Sequence, residues 1–161
     1  MLLVIADTSP VRYLIQIGHI NLLAGLFGKV MLPSIVSDEL RHPSAPAAVR
    51  AWIAQPPDWV EVAPAPDLDD PTLNALDPGE RSAIALGLLL EADLILIDDR
   101  KGAAAARAKG FEVTGTLGIL DLAARRGLVD LKDATERLRR TNFRYRPEML
   151  RTLLTKHTGT P

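Results

Sequence analysis

Two short apolar runs that end in carboxylates are the clearest pattern along the chain. Residues 2–5 are Leu-Leu-Val-Ile and lead to Asp7, and residues 95–97 are Ile-Leu-Ile and lead directly to Asp98 and Asp99. Continuous apolar runs of this length are typical of strands that are buried on both faces of a sheet. We therefore predict two central strands, each with acidic side chains at its carboxyl end.

The same pattern predicts further strands and the helices between them. The strands are expected at residues 2–5, 29–32, 59–62, 92–97 and 111–114, with 59–62 at a sheet edge. Helices are expected where apolar positions recur at helical spacing, at residues 10–17, 21–27, 35–40, 45–54, 78–90, 101–109, 117–126, 131–139 and 147–154.

Polar residues at the predicted boundaries suggest how the elements begin and end. Thr8 or Ser9 is expected to cap the first helix, and Ser34 the third. Residues 63–77 are rich in Pro and Asp and are expected to form a surface loop. The last residues, 155–161, are expected to fray.

Strands that alternate with helices predict βαβ units. We expect an α/β fold of three layers, with a central, mostly parallel sheet flanked by helices. The chain of 161 residues suits one domain that spans residues 1–161, in which 146–161 form a C-terminal helix and tail. No glycine loop of the dinucleotide or P-loop type follows a strand, so nucleotide cofactors of those kinds are not indicated.

Composition indicates the cellular compartment of the protein and excludes some kinds of chemistry. Hydrophobic residues make up 47% of the chain and the net charge is −1, so no overall basic field points to nucleic acid. The absence of cysteine excludes disulfides, thiolate catalysis and cysteine metal sites, and fits a reducing compartment. Without a signal-peptide pattern or an apolar stretch long enough to span a bilayer, we expect a cytoplasmic protein without membrane contact.

Four acids fall where an open parallel sheet gathers its ligands, outside the carboxyl ends of the strands. They are Asp7, Glu39, Glu80 and Asp99, with Asp98 next to the last. Converging carboxylates repel one another, and a hard divalent cation such as Mg²⁺ or Mn²⁺ relieves that repulsion and holds phosphates. Three of these acids have an ordinary structural alternative: Glu39 as a solvated helix residue, Glu80 as a charge at a helix N-terminus, and Asp98 as the cap of the following helix.

The order and spacing of five motifs give a more specific indication. The motifs are Asp7-Thr8-Ser9-Pro10, Ser37-Asp38-Glu39-Leu40, Gly79-Glu80 with Ala83-Ile84-Ala85-Leu86, Asp98-Asp99-Arg100-Lys101, and Gly115-Thr116-Leu117-Gly118-Ile119-Leu120. Together, over nearly the whole chain, they resemble PIN-domain proteins, and in particular a bacterial and archaeal nucleic-acid-binding branch related to VapC-type toxins. No single motif is specific alone.

The resemblance implies a metal-dependent ribonuclease that cleaves single-stranded RNA, with Mg²⁺ or Mn²⁺ as cofactor. The residues that match the family's four acids, and that are expected to be catalytic, are Asp7, Glu39, Glu80 and Asp99. The third acid is more often Asp in the toxins. The implied metal ligands are Asp7, Glu80 and Asp99, with Glu39 as a ligand or an orienter of water and Asp98 competing with Asp99.

Polar and basic residues near the acids complete the predicted site. By resemblance, Ser9 matches a position that often carries a polar side chain, and Thr116 is similar to a hydroxyl near the site, unless it serves only as an N-cap. Arg12, Arg100 and Lys101 lie near the predicted mouth, where they either steer the phosphate backbone or are ordinary solvated charges.

The resemblance leaves two functional hypotheses open. The first is a ribonuclease that acts as the toxin of a type II toxin–antitoxin pair, for which an antitoxin protein and a homodimer are expected. The second is a catalytically weak or inactive PIN-like module that binds RNA or a protein partner without cleavage. Metal-dependent cleavage of RNA separates the two.

Overall fold

The predicted strands form one parallel sheet in the computed structural model, which describes residues 2–157. In chain order they are β1 (Val4–Ala6), β2 (Val30–Pro33), β3 (Val60–Ala63), β4 (Leu94–Leu96) and β5 (Glu112–Thr114). They lie side by side in the order β3-β2-β1-β4-β5, and each neighbouring pair is parallel. The two apolar runs that lead to carboxylates are therefore neighbours, and β3 is at an edge, as predicted.

Helices lie between these strands and follow the last one. They are α1 (Thr8–Gln16), α2 (Leu22–Phe27), α3 (Ser34–Arg41), α4 (Ala47–Ala54), α5 (Pro78–Leu90), α6 (Arg100–Ala108), α7 (Thr116–Arg125), α8 (Leu131–Arg139) and α9 (Pro147–His157). A short 3₁₀ turn covers Pro71–Leu73. Within residues 2–157, no helix is both long and apolar enough to cross a bilayer.

The alternation of side chains along β1 creates a core on each face of the sheet. Val4 and Ala6 are buried with apolar residues of α1, α2, α7 and α8. Ile5, between them, is buried with apolar residues of α5 and α6. Since successive side chains of a strand point to opposite faces, both faces of this apolar strand need a cover of helices. The result is the predicted three-layer α/β fold.

The N-cap residues of two helices differ from the predicted ones. Asp7 is in the N-cap position of α1, rather than Thr8 or Ser9, and Pro33 is in the N-cap position of α3, rather than Ser34. Neither helix has a side-chain cap. The hydroxyls of Thr8 and Ser9 bond instead to the carboxylates of distant residues. The predicted capping roles are therefore wrong.

The predicted loop and the C-terminal end also differ from expectation. Leu73 lies within the predicted surface loop but is buried in the core beneath α5 and α6. α9 continues to His157, whose ring pairs with Asp121 of α7. The prediction that the chain frays from residue 155 is therefore wrong as far as His157, and residues 158–161 lie outside the described residues.

Parallel pairing brings the carboxyl ends of all five strands to one edge of the sheet. Asp7 follows β1 directly, and its backbone N–H donates to Leu96 O at 2.9 Å, which continues the pairing with β4. Asp98 and Asp99 follow β4 after one further residue. The helices α3 and α6 begin at the same edge, because each starts soon after a strand ends there.

Candidate active site

Asp7 is a deeply buried acid at this edge of the sheet. It is 6% exposed. Burial raises the pKa of Asp7 to about 7, and the negative charges of Asp77, Glu39 and Asp98 add to this effect. A carboxyl group in such surroundings is stabilised by a bound proton or by a nearby cation.

Gly79, in the first turn of α5, allows two carboxylates to converge. A Cβ atom on this residue would lie 2.7 Å from Asp7 Oδ1 and 3.1 Å from Glu39 Oε1. Because glycine has no Cβ, the acid after β1 and the acid on α3 both reach the start of α5. Glu39 is held there by the hydroxyl of Thr8, which donates to Oε2. Glu39 is therefore not simply a solvated helix residue.

Glu80 has one oxygen in a helix cap and one without a partner. Asp77 and Glu80 form a capping box at the start of α5. The Glu80 backbone N–H donates to Asp77 Oδ1 at 2.8 Å, and the Asp77 backbone N–H donates to Glu80 Oε1 at 3.4 Å. Glu80 Oε2 is buried, and no described residue donates to it. A structural role at the helix N-terminus therefore explains only one of its two oxygens.

The unpartnered oxygen of Glu80 faces the first turn of α6. A Cβ atom on Gly102 would lie 2.6 Å from it. Glu80 is 5% exposed. Burial, followed by a side-chain hydrogen bond to Asp77 and the charges of Asp77 and Asp99, raises the pKa of Glu80 to about 8. Buried carboxylate oxygens are nearly always paired in proteins, so this atom indicates a place for a proton or a cation.

Asp98 and Asp99 are adjacent in the chain but have different partners. Asp98 accepts hydrogen bonds from Ser9 Oγ at 2.9 Å and from Thr116, through N at 2.6 Å and Oγ1 at 2.7 Å. Asp99 Oδ2 caps α6 by accepting from two backbone N–H groups of its first turn, at 3.0 and 3.1 Å. The alternative in which Asp98 caps this helix is therefore wrong by one residue.

Thr116 and Ser9 act on Asp98 rather than on a helix end. Thr116 is the first residue of α7, and Gly115 is in the N-cap position, so the alternative in which Thr116 is only an N-cap is wrong. Burial raises the pKa of Asp98, although the hydrogen bonds from Thr116 and Ser9 oppose this rise. Both oxygens of Asp98 accept hydrogen bonds.

Six acids occupy this edge of the sheet. They are Asp7, Glu39, Asp77, Glu80, Asp98 and Asp99. Asp77 is the acid that sequence reasoning missed. Its signal is the spacing of an N-cap acid three residues before Glu80, which is the signature of a capping box.

The chemistry of these acids suits a hard divalent cation. Carboxylate oxygens are the ligands that Mg²⁺ and Mn²⁺ prefer, and Glu80 Oε2 is buried without a partner. Within residues 2–157, however, no three Asp, Glu or His side chains are grouped so that they could hold an ion as they stand. The acids therefore supply the oxygen ligands that such an ion prefers. Their side chains must move closer to one another to bind it.

The three basic residues predicted near the site have different surroundings. Arg100 and Lys101 are exposed in the first turn of α6. Arg12 is half-buried on α1 and lines a cavity together with Thr8 and Glu39. All three cations lie on helices that begin at the acidic edge of the sheet.

A parallel sheet with clustered carboxylates at its carboxyl edge defines an α/β protein with an acidic candidate active site. A family model described as a PIN domain matches residues 3–158. The chain belongs to the PIN-domain family, which confirms the resemblance of the motifs to PIN-domain proteins in general. The PIN domain has a nuclease-type fold, and PIN-domain proteins typically depend on divalent metal ions. Comparisons with curated proteins and with solved structures give no match.

Proposed function

We propose that the protein is a metal-dependent endoribonuclease that hydrolyses phosphodiester bonds of single-stranded RNA. The observation that carries the proposal is the convergence of Asp7 and Glu39 at Gly79, on the helix that also carries the unpartnered Glu80 Oε2. A buried carboxylate with a purely structural role has donors for both oxygens, whereas Glu80 Oε2 has none among the described residues. Asp7 and Glu39 both reach Gly79, one residue before Glu80. Membership of a family with a nuclease-type fold supports the same class of reaction.

Asp7, Glu80 and Asp99 would hold Mg²⁺ or Mn²⁺, with Glu39 as a further ligand or as the group that orients a water molecule. A divalent ion supplies positive charge against the phosphate and activates water for hydrolysis. Asp98 is assigned a positioning role, because both of its oxygens already accept hydrogen bonds from Ser9 or Thr116. Asp99 uses a single oxygen, Oδ2, to cap α6.

Other side chains prepare the site for its substrate. Thr8 holds Glu39 in place. Arg100 and Lys101 are exposed beside Asp99, where they attract the phosphate backbone of a single strand. The raised pKa of Asp7, about 7, lets this carboxyl group bind or release a proton near neutral pH when no cation is present.

The test is cleavage of labelled single-stranded RNA in Mg²⁺ or Mn²⁺, and in EDTA. Asp7→Asn removes the central carboxylate. Asp38→Asn is the matched control, because Asp38 is exposed on α3 beside Glu39 and loses the same charge. We expect cleavage by the wild type and by Asp38→Asn, and a loss on the order of 10²-fold or more for Asp7→Asn. Cleavage in EDTA, or full activity of Asp7→Asn, would contradict the proposal.

The finer role that we propose is that of a toxin in a type II pair, with an antitoxin protein and a homodimeric state. The resemblance to VapC-type toxins supports it. Expression of the wild type is expected to arrest growth, and expression of Asp7→Asn is not. Normal growth with a nuclease that is active in vitro would contradict the toxin role alone, and the molar mass in solution tests the dimer.

A second candidate is a PIN-like module that binds RNA or a protein partner without cleavage. It is favoured by the observation that no three acidic or histidine side chains within residues 2–157 are grouped to hold an ion. This candidate predicts no cleavage with either metal ion, together with RNA binding that EDTA and Asp7→Asn leave unchanged. The cleavage assay therefore decides between the two functions.

A further inference from the structure

A cavity opens beside the acidic cluster, between α1, α3 and the start of α4. Its volume is about 340 Å³, which is at the small end of the roughly 300–1,000 Å³ typical of small-molecule sites. Thr8 and Glu39 line it on one side, and the hydroxyl of Thr8 donates to the Glu39 carboxylate. Thr8 and Glu39 therefore belong both to the lining of the cavity and to the candidate active site.

The guanidinium group of Arg12 lines the cavity, and one of its nitrogens has no hydrogen-bond partner among the described residues. Arg12 lies one turn after Thr8 on α1 and lines the cavity. Its Nε is buried and has no hydrogen-bond partner in the described part of the chain. The guanidinium carbon lies 5.6 Å from the centre of the Tyr13 ring. A buried guanidinium N–H without an acceptor suits an anionic ligand, and a phosphate group accepts from a guanidinium in the geometry that arginine favours.

The rest of the cavity has both an apolar and a polar side. Leu40 and Val49 are 1% and 0% exposed, and with Ala45 they supply the apolar lining. His42 and Ser44 supply the polar lining. The Ser44 backbone N–H donates to His42 Nδ1 at 3.1 Å, which leaves Nε2 as the ring nitrogen that can donate to a ligand. An apolar surface with a few polar groups is the environment that a planar heterocycle requires.

We propose that this cavity is a nucleotide subsite, which holds the base and one phosphate of the nucleotide next to the bond that is cut. Arg12 binds the phosphate, Ala45 contacts the base, and His42 and Ser44 bond to its polar edge. The inference rests on the proposed ribonuclease function, and it adds a place where the enzyme selects one base of its RNA.

The position of the cavity favours a nucleotide of the substrate over a separate small metabolite. Glu39 lines the cavity and also reaches Gly79 together with Asp7. A strand with one phosphate at Asp7 and Glu39 would therefore have a neighbouring nucleotide beside the cavity. A single nucleotide uses both the cation and the apolar lining. Inorganic phosphate would use the cation alone.

The test is the binding of nucleoside 5′-monophosphates to the metal-free protein in EDTA, measured by calorimetry or by changes in NMR chemical shift. Inorganic phosphate and the free nucleosides are the comparison ligands. We expect a nucleoside monophosphate to bind more tightly than either, with a preference for one base. Equal affinity for inorganic phosphate and all four monophosphates would overturn the inference, as would no binding of any monophosphate.

Three variants locate the binding. Arg12→Gln is expected to weaken monophosphate binding about tenfold or more, since a charge-assisted hydrogen bond is lost. Ala45→Leu fills the apolar side and is expected to weaken the binding of monophosphates but not of phosphate. Arg126→Gln removes an exposed charge from the end of α7, does not line the cavity, and is expected to have no effect. Circular dichroism checks that each variant is folded.

The two proposals fail in different ways. If no RNA is cut but the Arg12 and Ala45 variants lose monophosphate binding, the cavity is a nucleotide-binding site and the ribonuclease function fails. If RNA is cut but folded Arg12→Gln and Ala45→Leu bind monophosphates like the wild type, the subsite is overturned and the ribonuclease function stands.

Discussion

Asp7 Oδ1 lies only 2.7 Å from the position that a Cβ atom on Gly79 would occupy. Asp7 cannot easily move away from this position, because it is buried and its backbone N–H is hydrogen-bonded to Leu96 O, at the end of β4. The end of β1 and the first turn of α5 are therefore matched to a residue without a side chain. This contact joins the central strand of the sheet to the helix that carries Glu80.

Gly79→Ala is expected to damage the site and to destabilise the fold. The new methyl group would overlap Asp7 Oδ1 and press on Glu39 Oε1, which lies 3.1 Å from the same position. Overpacking of this kind costs about 1–3 kcal/mol. Urea unfolding measures the loss of stability, and the RNA cleavage assay measures the loss of activity.

Gly25→Ala in α2 is the matched control for this substitution. Its nearest neighbour would be Leu128 Cδ1 at 3.8 Å, an ordinary van der Waals contact. Alanine favours a helix over glycine by roughly 0.5–1 kcal/mol, so this variant is expected to be as stable as the wild type or more stable. Equal stabilities for Gly79→Ala and Gly25→Ala would show that the close contact at Asp7 has no consequence.

The free energy of unfolding of the metal-free protein is expected to fall as the pH rises from about 4 to 8. Folding raises the pKa of Asp7 from 3.8 to about 7 and that of Glu80 from 4.5 to about 8. Between these values the folded state binds more protons than the unfolded state, so stability is full at the acidic end and is lost as the groups ionise. The effect is on the order of a few kcal/mol.

Urea unfolding in EDTA at a series of pH values measures this dependence. In Asp7→Asn the contribution of Asp7 is absent, and the curve is expected to be flatter. A wild-type curve that runs parallel to that of Asp7→Asn would mean that Asp7 is not held in the protonated form.

Mg²⁺ or Mn²⁺ is expected to stabilise the protein more at pH 8 than at pH 5.5. At the higher pH the clustered acids are ionised and repel one another, and a cation replaces the protons that they have lost. A ligand at 100 times its Kd adds about 2.7 kcal/mol to the free energy of unfolding. The thermal midpoint with and without metal ion is the measurement.

Two variants show whether this stabilisation belongs to the candidate site. Asp38→Asn is expected to keep the increase in midpoint, because Asp38 is exposed and outside the cluster. Asp7→Asn is expected to lose most of it. The same increase in both variants would assign the metal effect to another part of the protein.

Thr116→Val is expected to lower both stability and cleavage rate through Asp98. The hydroxyl of Thr116 is fully buried and donates to Asp98 Oδ2 at 2.7 Å. Loss of a partner by a buried carboxylate costs on the order of 1–3 kcal/mol. Since the proposed mechanism gives Asp98 a positioning role, kcat should fall more than the affinity for RNA.

Thr116→Ser distinguishes a positioning role from simple packing. Serine keeps the hydroxyl but loses the methyl group, so this variant is expected to recover most of the cleavage rate. If Thr116→Ser is as inactive as Thr116→Val, the methyl group matters more than the hydrogen bond to Asp98.

Much of the fold could be predicted from local pattern. The apolar runs before Asp7 and Asp98 correspond to β1 and β4, and the alternation of strands and helices gave the three-layer α/β class. The errors lie at helix starts and at the C-terminus. Thr8 and Ser9 are residue types that often serve as N-caps, but their hydroxyls bond to Glu39 and Asp98. Partners so far along the chain cannot be predicted from local sequence.

The candidate site was predicted as a set of acids, but not as an arrangement. Asp77 was missed because it falls in a segment that looked like loop, although it caps α5. Asp98 and Asp99 could not be told apart, because neighbouring acids after a strand look alike until their partners are known. Asp98 binds Ser9 and Thr116, whereas Asp99 caps α6.

The sequence by itself determined where strands end in carboxylates, because apolar periodicity and turn residues act over a few positions of the chain. Only the tertiary structure decided which groups meet. The bond from Thr8 to Glu39 joins residues 31 positions apart, and the bond from Ser9 to Asp98 joins residues 89 positions apart. Such contacts depend on strand order and helix packing, and their burial alters the ionisation of Asp7 and Glu80 in a way that no local pattern contains.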